Sequence, residues 1–339
     1  MSHPKGKPTG TVTPWRRSDP LPEFNRTLFG PFGCLSEPVL KVIHAEERWH
    51  GDGDPTWKKA PSAADAYGKA VAAAARLGHR NYKGLTGTAA LALIIASCSP
   101  ESRCGSHACP SCARCDQRWL VHAVGKVLRK PQVGFQDFAF NFVMPEGQTA
   151  IRDLGGVDFD TILGKCRIAL SQCNEVAFGI IGIDTSANDD TDKFAKKKLT
   201  RGPRIYWQVH VYGIVRTRSR QAVWDALRPL FGKSANIYRP LYISKKPFDG
   251  SNKGISYISK PDGFRHVPYF DEQRGEWNTP HKPSALTARE QVYYLLAMHD
   301  LGFARRIALV GLHPLETKAT ENKNRGVRLH RVHRGGSAM

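Results

Sequence analysis

Acidic residues are scarce: the 339-residue chain has 30 Asp and Glu against 50 Lys and Arg, a formal net charge of +20. Long apolar runs are also missing, since LALIIA at 91–96 is far shorter than the roughly 20 residues of a membrane-spanning helix. The first 20 residues contain no apolar signal-peptide core. These absences argue against a membrane protein and predict a cytoplasmic one. The basic excess predicts a polyanionic partner, with nucleic acid the first candidate and an anionic membrane surface the second.

Composition divides the chain into four parts, and no internal repeat is visible. Residues 1–30 are rich in Pro, Gly and charge, which predicts a disordered basic arm. Residues 31–130 form a helical segment with a Cys-rich motif. Residues 131–312 form an α+β unit, and residues 313–339 a basic C-terminal tail that we expect to be disordered when free.

The cysteines are crowded rather than spread, because five of the eight fall within 98–115. In a reducing compartment such crowding favours metal binding over disulfide formation. Thiolates at these spacings can converge on one tetrahedral Zn²⁺, whose closed site would be structural. The alternative is a group of unliganded thiols. The preferred ligands are Cys98, Cys104, Cys109 and Cys112, with Cys115 and His107 as alternates.

The α+β unit shows hydrophobic patterns in the order β-α-β-β-α-β-α. This order predicts a central antiparallel sheet with helices on one face, close to a ferredoxin-like layout and preceded by the helical and zinc-binding segment. In the preceding segment, a helix capped by Ser62 and ended by Gly78 is expected, then one over 118–130. The predicted strands are 138–145, 176–186, 206–215 and 239–246, and the predicted helices are 158–173, 219–231 and 251–261.

The connection between the second and third strands is strongly basic. One interpretation is a solvated loop without a binding role. The functional interpretation is contact with DNA phosphates, each of which adds about one unit to the slope of log affinity against log salt concentration. The candidate DNA-binding residues are Lys193, Lys196, Lys197, Lys198, Arg201 and Arg204.

The third strand, YWQVHVYGIV, has polar residues on one face of an otherwise apolar strand. Gln208, His210 and Tyr212 share that face, and Asp184 is the acid of the apolar stretch in the neighbouring strand. An Asp, a His and a Gln suit Mg²⁺ or Mn²⁺ better than a second zinc ion. The alternative is a histidine that only makes a hydrogen bond within the core.

The segment GISYISKPDG supplies a nucleophile and a cation. On a helix, Tyr257 and Lys260 share a face. A phenol can attack a phosphodiester, a divalent ion can polarise its non-bridging oxygens, and a lysine can balance the developing negative charge. Y-x-x-K alone is a weak motif, and its position after the polar strand gives it weight.

Together, CGSHACPSC, YWQVHVYGIV and YISK resemble the single-tyrosine HUH endonucleases, over roughly residues 98–310. These are the rolling-circle replication initiators of plasmids and phages, with related single-strand transposases. Their metal strand is similar to W-Q-P-H-U-H-G-I-V, where U is apolar, and this chain departs from it by placing Tyr212 at the second histidine. Pro261 follows one turn after Tyr257, as expected for the one-tyrosine class. The matching strand residues are Trp207, Gln208, His210, Gly213, Ile214 and Val215.

The resemblance implies an HUH-like nuclease core over residues 131–312. It implies that Tyr257 and Lys260 are catalytic, that Gln208, His210 and Asp184 hold the catalytic Mg²⁺ or Mn²⁺, and that the partner is single-stranded or hairpin origin DNA, with host replication proteins as further partners. A non-catalytic, zinc-stabilised nucleic-acid-binding protein is one alternative, which Tyr212 favours. A relaxase or transposase of the same chemistry is another.

Overall fold

The computed structural model describes residues 35, 37–46, 49–52, 60–191, 205–230, 240–278, 282–317 and 326–332. The predicted arm at 1–30 and all six candidate DNA-binding residues of the basic loop lie outside these ranges. The described helices are α1 (Glu37–Ala45), α2 (Ala63–Leu77), α3 (Thr88–Ala96), α4 (Pro110–Leu128), α5 (Phe159–Gln172), α6 (Arg220–Leu227), α7 (Asn252–Ser256) and α8 (Ala288–Arg306).

Strands in the same ranges account for the β part of this α+β fold. Short 3-10 turns occur among them, and the one at Tyr257–Ser259 directly continues α7. The strands are β1 (Gln136–Ala150), β2 (Val176–Asp189), β3 (Ile205–Thr217), β4 (Leu241–Ile243), β5 (Phe264–His266), β6 (Tyr269–Asp271), β7 (Glu276–Asn278), β8 (Ser284–Ala285), β9 (Ile307–Val310), β10 (Leu312–Thr317) and β11 (Gly326–Arg331).

The central sheet has the strand order β4-β1-β3-β2-β5-β8, and β9 also pairs with β2. β3 is antiparallel to both β1 and β2, so the strands joined through α5 run parallel to each other with β3 between them. β4 is antiparallel to β1. The expectation of an antiparallel sheet is wrong at one edge, because β5 pairs with β2 in parallel and makes the sheet mixed.

Helices cover both faces of this sheet, which corrects the expectation of helices on one face. Residues of α2, α3, α5, α6 and α8 pack with one face, and residues of α1, α4 and α7 pack with the other. The cause is visible in β2, where Ile180 and Ile181 point to opposite faces and are both fully buried. A strand that is apolar on both sides must be covered on both sides.

Helix α4 begins eight residues earlier than the predicted start at 118. Pro110 occupies its first turn and Cys109 is the residue before the helix, a position that suits proline because its missing N–H has no partner in the helix. Most of α4 is buried all round, so its first half lacks the one-sided apolar pattern on which a sequence-based prediction depends. The predicted caps are confirmed at α2 and α6, where Ser62 and Ser219 accept hydrogen bonds from backbone N–H groups.

The predicted C-terminal tail contains folded structure, which corrects the boundary at 313. β10 and β11 pair as an antiparallel hairpin, and the indole of Trp119 on α4 donates a hydrogen bond of 3.1 Å to the Val327 carbonyl. Val327 and Leu329 are buried, whereas Arg328 between them is exposed. This alternation is the period of a strand with one buried face.

Within the described ranges, no helix combines the length and the apolar composition that crossing a bilayer requires. The apolar run at 91–96 lies inside α3, where Leu91 and Ile95 are buried in the core on the α5 side of the sheet.

Candidate functional site

The four preferred cysteines come together at the start of α4. Their sulfur atoms all lie within 4.8 Å of one another, and the Sγ atoms of Cys98 and Cys104 are each 3.7 Å from that of Cys112. A disulfide bond requires about 2.05 Å, so these are four separate thiols. Hydrogen bonding from Cys104 holds the pKa of Cys98 well below its ordinary value.

The cysteine geometry fits a tetrahedral zinc ion. Four sulfurs at a Zn–S distance of about 2.3 Å are roughly 3.8 Å apart, close to the observed 3.7 Å. Both alternates are engaged elsewhere: the Cys115 thiol contacts the Trp49 carbonyl, and His107 bonds to Asp116 and Arg306. The set is therefore a possible four-cysteine metal centre of the closed, structural type.

A second group of polar side chains lies on the face of the sheet that packs with α1, α4 and α7. In the register of β2 and β3, Asp184 is opposite His210, Ser186 is opposite Gln208, and Gly182 is opposite Tyr212. The same face is apolar further along, at Phe178 and Ile214. The polar residues singled out in β3 are thus brought beside Asp184, as expected.

His210 is neutral at physiological pH. Its Nε2 atom is 2.8 Å from the Ser186 hydroxyl. Burial lowers the pKa of His210 to about 3, and the nearby His266 and Lys260 act in the same direction. A neutral imidazole is the form that binds a metal ion.

Gln208 is already engaged by the backbone. Its side-chain amide donates to the Met144 carbonyl at 2.8 Å, and its carbonyl oxygen accepts from the Gln148 amide at 3.2 Å. Gln208 therefore contributes to the packing of β1 against β3 in this structure. Its coordination of an ion would require these bonds to be exchanged.

The turn that contains Tyr257 packs directly on β2. Ser251 caps α7 by accepting from the Gly254 N–H, and the chain continues into the 3-10 turn. A Cβ atom on Gly182 would be 2.7 Å from Cγ2 of Ile258 and 2.9 Å from its carbonyl carbon, closer than real contacts allow. Glycine at position 182 is thus what permits the turn to approach the strand.

Lys260 connects Tyr257 with the polar strand face. Its Nζ atom is 3.4 Å from Oδ2 of Asp184 and 4.4 Å from the centre of the Tyr257 ring. Its positive charge also lies 5.3 Å from the ring centre of Tyr212 and 4.6 Å from that of Phe264. Tyr257 is 39% exposed, so a ligand in solvent can reach its ring.

The carboxylate of Asp184 is buried and incompletely satisfied. Burial raises its pKa above the ordinary value, against the opposing effects of Lys260 and Arg306. One carboxylate oxygen accepts from the Thr185 N–H at 2.8 Å, whereas Oδ2 has the ion pair with Lys260 but no hydrogen bond of good geometry. A buried carboxylate oxygen in this state is costly unless a closer cation or a donor approaches it.

A buried polar network, which no pattern in the sequence predicted, supports this turn from behind. Arg306, 1% exposed, donates to the carbonyls of Lys260 at 3.1 Å and Ile183 at 2.9 Å and to His107 at 2.6 Å. His107 donates in turn to Asp116, which also bonds to His44. The network joins the segment around the four cysteines to the strand and turn that hold Asp184 and Lys260.

The buried charges of this network stabilise one another. Burial alone would raise the pKa of Asp116, but His44 and His107 prevail and bring it to about 2. No short motif marks these residues in the sequence, because directly bonded partners such as His107 and Arg306 lie as many as 199 positions apart. His266 was also missed: it lies on β5 beside the site, with Nδ1 buried and without a hydrogen bond.

Among the residues that the structure describes, the four cysteines are the one cluster in which ligand atoms from three or more His, Cys, Asp or Glu side chains converge. Asp184 and His210 do not form such a group. Comparisons with protein-family models, with curated proteins and with solved structures find no match to this chain.

Proposed function

We propose that this protein nicks and rejoins single-stranded DNA through Tyr257, as an initiator of rolling-circle replication. The observation that carries the proposal is the accessible Tyr257 ring beside the Lys260 ammonium, with Lys260 paired to Asp184 on the strand face that holds His210. This combination gathers a nucleophile, a cation and candidate metal ligands. A chain with a net charge of +20 is expected to act on an anionic polymer.

The fold is compatible with this function. Strands in the order β4-β1-β3-β2, with α5 and α6 in the two connections, have the connectivity expected of a ferredoxin-like β-α-β-β-α-β core. The resemblance to single-tyrosine HUH endonucleases requires such a core, with the polar strand at its centre. β3 is a central strand of this sheet.

The proposed reaction is a transesterification. The Tyr257 oxygen attacks phosphorus, the P–O3′ bond breaks, and the 5′ phosphate remains on the tyrosine. The phenolic proton is in effect transferred to the departing 3′ oxygen, which leaves as a free 3′-OH that can prime synthesis. Attack by that hydroxyl, or another, on the phosphotyrosine rejoins the strand, so no oxidant or energy source is consumed. Lys260 stabilises negative charge on the phenolic oxygen and the phosphate.

Asp184, His210 and, after a change of partners, Gln208 are the residues that would hold Mg²⁺ or Mn²⁺. The Oδ2 atom of Asp184, which lacks a hydrogen bond, and the neutral imidazole of His210 suit such an ion, which when bound would polarise the non-bridging phosphate oxygens. The four-cysteine centre has a different role in this proposal. A zinc ion there would hold the start of α4 and, through the buried network, the turn that carries Lys260.

A covalent adduct tests the proposal. The purified chain is incubated with Mn²⁺ and single strands that include candidate origins, and denaturing gels detect protein–DNA adducts. Tyr257→Phe removes the nucleophile but keeps the ring, so we expect it to abolish the adduct while folding and DNA binding persist. Tyr269→Phe, at another exposed tyrosine, is the matched control and should form the adduct normally. An adduct in Tyr257→Phe would rule out Tyr257 as the nucleophile.

A second candidate function is non-catalytic binding of nucleic acid by a zinc-stabilised protein. The observation that favours it is Tyr212 at the position of a second histidine, together with the engaged Gln208 amide. Tyr212→His separates the two functions, because imidazole is a better ligand than a neutral phenol. Increased nicking at limiting Mn²⁺ supports the enzyme, and inactivity of both wild type and variant on every strand supports the binding protein. A relaxase or transposase would share the chemistry and differ in biological role.

A further inference from the structure

A small aromatic cleft adjoins Tyr257 on the side towards β4, away from Asp184. Its volume is about 180 Å³. A cavity of roughly 150 Å³ accommodates one benzene ring in another protein, so this cleft has room for about one ring system. The side chains that define it are Asn141, Tyr212, Tyr242, Phe248 and Tyr257.

The sheet register places three of these residues in one row. Asn141 on β1 is opposite Tyr212 on β3 and opposite Tyr242 on β4, so all three side chains project from the same face. Tyr242 is 45% exposed, although it belongs to a strand whose neighbouring residues, Leu241 and Ile243, are buried. The row therefore presents aromatic surface to solvent beside the proposed nucleophile.

One wall of the cleft is held firmly. The Phe248 ring lies against Gly254, where an added Cβ atom would be 2.8 Å from Cζ of the ring and closer still to Cε2. Tyr257 forms another wall, and its ring centre is 6.2 Å from that of Tyr212. The opening is thus bounded by rings from three different parts of the chain, which resembles a preformed site rather than a gap between mobile side chains.

The one side-chain amide in the row belongs to Asn141. Among the described residues it has no hydrogen-bond partner, although it is partly buried between two tyrosines. Its amide provides two donor hydrogens and an acceptor oxygen. A flat ring with donors and acceptors on its edge would satisfy both features of the cleft, the aromatic walls and the amide.

We propose that this cleft binds one unstacked nucleobase of the single strand, adjacent to the phosphodiester at Tyr257. The assignment rests on the proposed function, and it names the part of the substrate that the site recognises. Aromatic side chains on an open sheet face stack bases of single-stranded nucleic acids, and side-chain amides hydrogen-bond to base edges. The Lys260 ammonium, 4.4 Å from the centre of the Tyr257 ring, lies where the phosphate next to that base would need a positive charge.

Binding of base-containing and abasic strands tests this inference. The full chain is titrated with short homopolymers of thymidine and of adenosine, and with an abasic strand of the same length, by fluorescence anisotropy. Tyr242→Ala should weaken homopolymer binding roughly 5- to 150-fold, the effect of losing one stacked base, and leave abasic binding unchanged. Tyr242→Phe retains the ring and should bind as wild type. Asn141→Leu should reduce the difference in affinity between the two homopolymers.

Tyr67→Ala, at an exposed tyrosine on α2, is the control for loss of an exposed ring. Equal weakening of homopolymer and abasic binding by Tyr242→Ala would overturn the inference, as would equal effects of Tyr242→Ala and Tyr67→Ala. Equal affinity of the wild-type protein for the two homopolymers and the abasic strand would also overturn it. If base-dependent loss occurs but wild type forms no adduct with Mn²⁺, the cleft stands and the nicking function fails. An adduct in wild type with unchanged homopolymer binding in Tyr242→Ala overturns the cleft alone.

Discussion

The contact between Gly182 and the Tyr257 turn gives the sharpest test of how the site is built. In Gly182→Ala, the new methyl group would lie 2.9 Å from the Ile258 carbonyl carbon and closer still to its oxygen, whereas ordinary contact begins at 3.4 Å. The carbonyl carbon must therefore retreat by about half an ångström, and the oxygen by more. Backbone atoms are involved, so a change of side-chain rotamer cannot relieve the clash.

We expect two consequences of Gly182→Ala. Overpacking of this kind costs about 1–3 kcal/mol of unfolding free energy, which for a chain of this size lowers Tm by roughly 1–5 °C. Displacement of the turn also moves Tyr257 and Lys260 relative to Asp184. Because an error of about 1 Å in a reacting group can cost on the order of 100-fold, adduct formation should fall by roughly 10- to 100-fold.

Gly179→Ala is the matched control on the same strand. A Cβ atom there would have its nearest neighbour at 3.6 Å, an ordinary contact, so stability and adduct formation should remain near wild type. Thermal unfolding followed by circular dichroism measures the first effect, and the Mn²⁺-dependent adduct assay the second. If Gly182→Ala unfolds at the wild-type temperature, or if both variants lose the same stability, the turn does not pack on β2 as described.

Three further predictions follow from the cysteines, the buried network and the basic loop. Cys109→Ser should lower both zinc content and Tm, since structural zinc contributes to folding; a full complement of about one zinc per chain would remove Cys109 from the site. Arg306→Lys should lower the unfolding free energy by about 3 kcal/mol, because the buried partners of a charged group lose their donors. Its control, Arg305→Lys, changes an exposed ion pair and should cost at most about 1 kcal/mol. Urea titration compares the unfolding free energies of the two variants, and equal losses would contradict the network. Three lysines of the basic loop, Lys196, Lys197 and Lys198, are neutralised together in the last prediction. If all three contact phosphates, the slope of the log–log salt dependence of single-strand binding should fall by about two to three units. An unchanged slope would mean that the three side chains face solvent only.

Patterns local in sequence predicted the elements that depend on local rules. The strands of the α+β unit alternate or are continuously apolar, and the structure has β1, β2 and β3 where these patterns occur, each extended by a few residues. The caps at Ser62 and Ser219 were visible because a cap acts within one helical turn. The prediction failed where burial was two-sided, as in the first half of α4, because a helix buried all round has no contrasting polar face.

The cysteine set was predictable for a related reason. Four thiols between positions 98 and 112 cannot be far apart. The sequence left open whether Cys115 or His107 replaces one of them as a metal ligand. Packing answered it, since Cys115 turns towards the Trp49 carbonyl and His107 towards Asp116 and Arg306. The hairpin of β10 and β11 was missed because its basic residues dominate the composition, although Val327 and Leu329 carry the alternation of a half-buried strand.

The sequence by itself determined the α+β class, the principal strands, the four cysteines, the polar face of β3 and the basic character of the chain, because each is a property of neighbouring residues or of composition. Only the tertiary structure decided which groups meet. The Lys260–Asp184 pair, the Gly182 contact, the Arg306 network and the cleft with Asn141 and Tyr242 join residues that are dozens to hundreds of positions apart. Their proximity depends on the order and register of the strands and on helices covering both faces of the sheet, and these are settled by packing of the whole chain rather than by any segment of it.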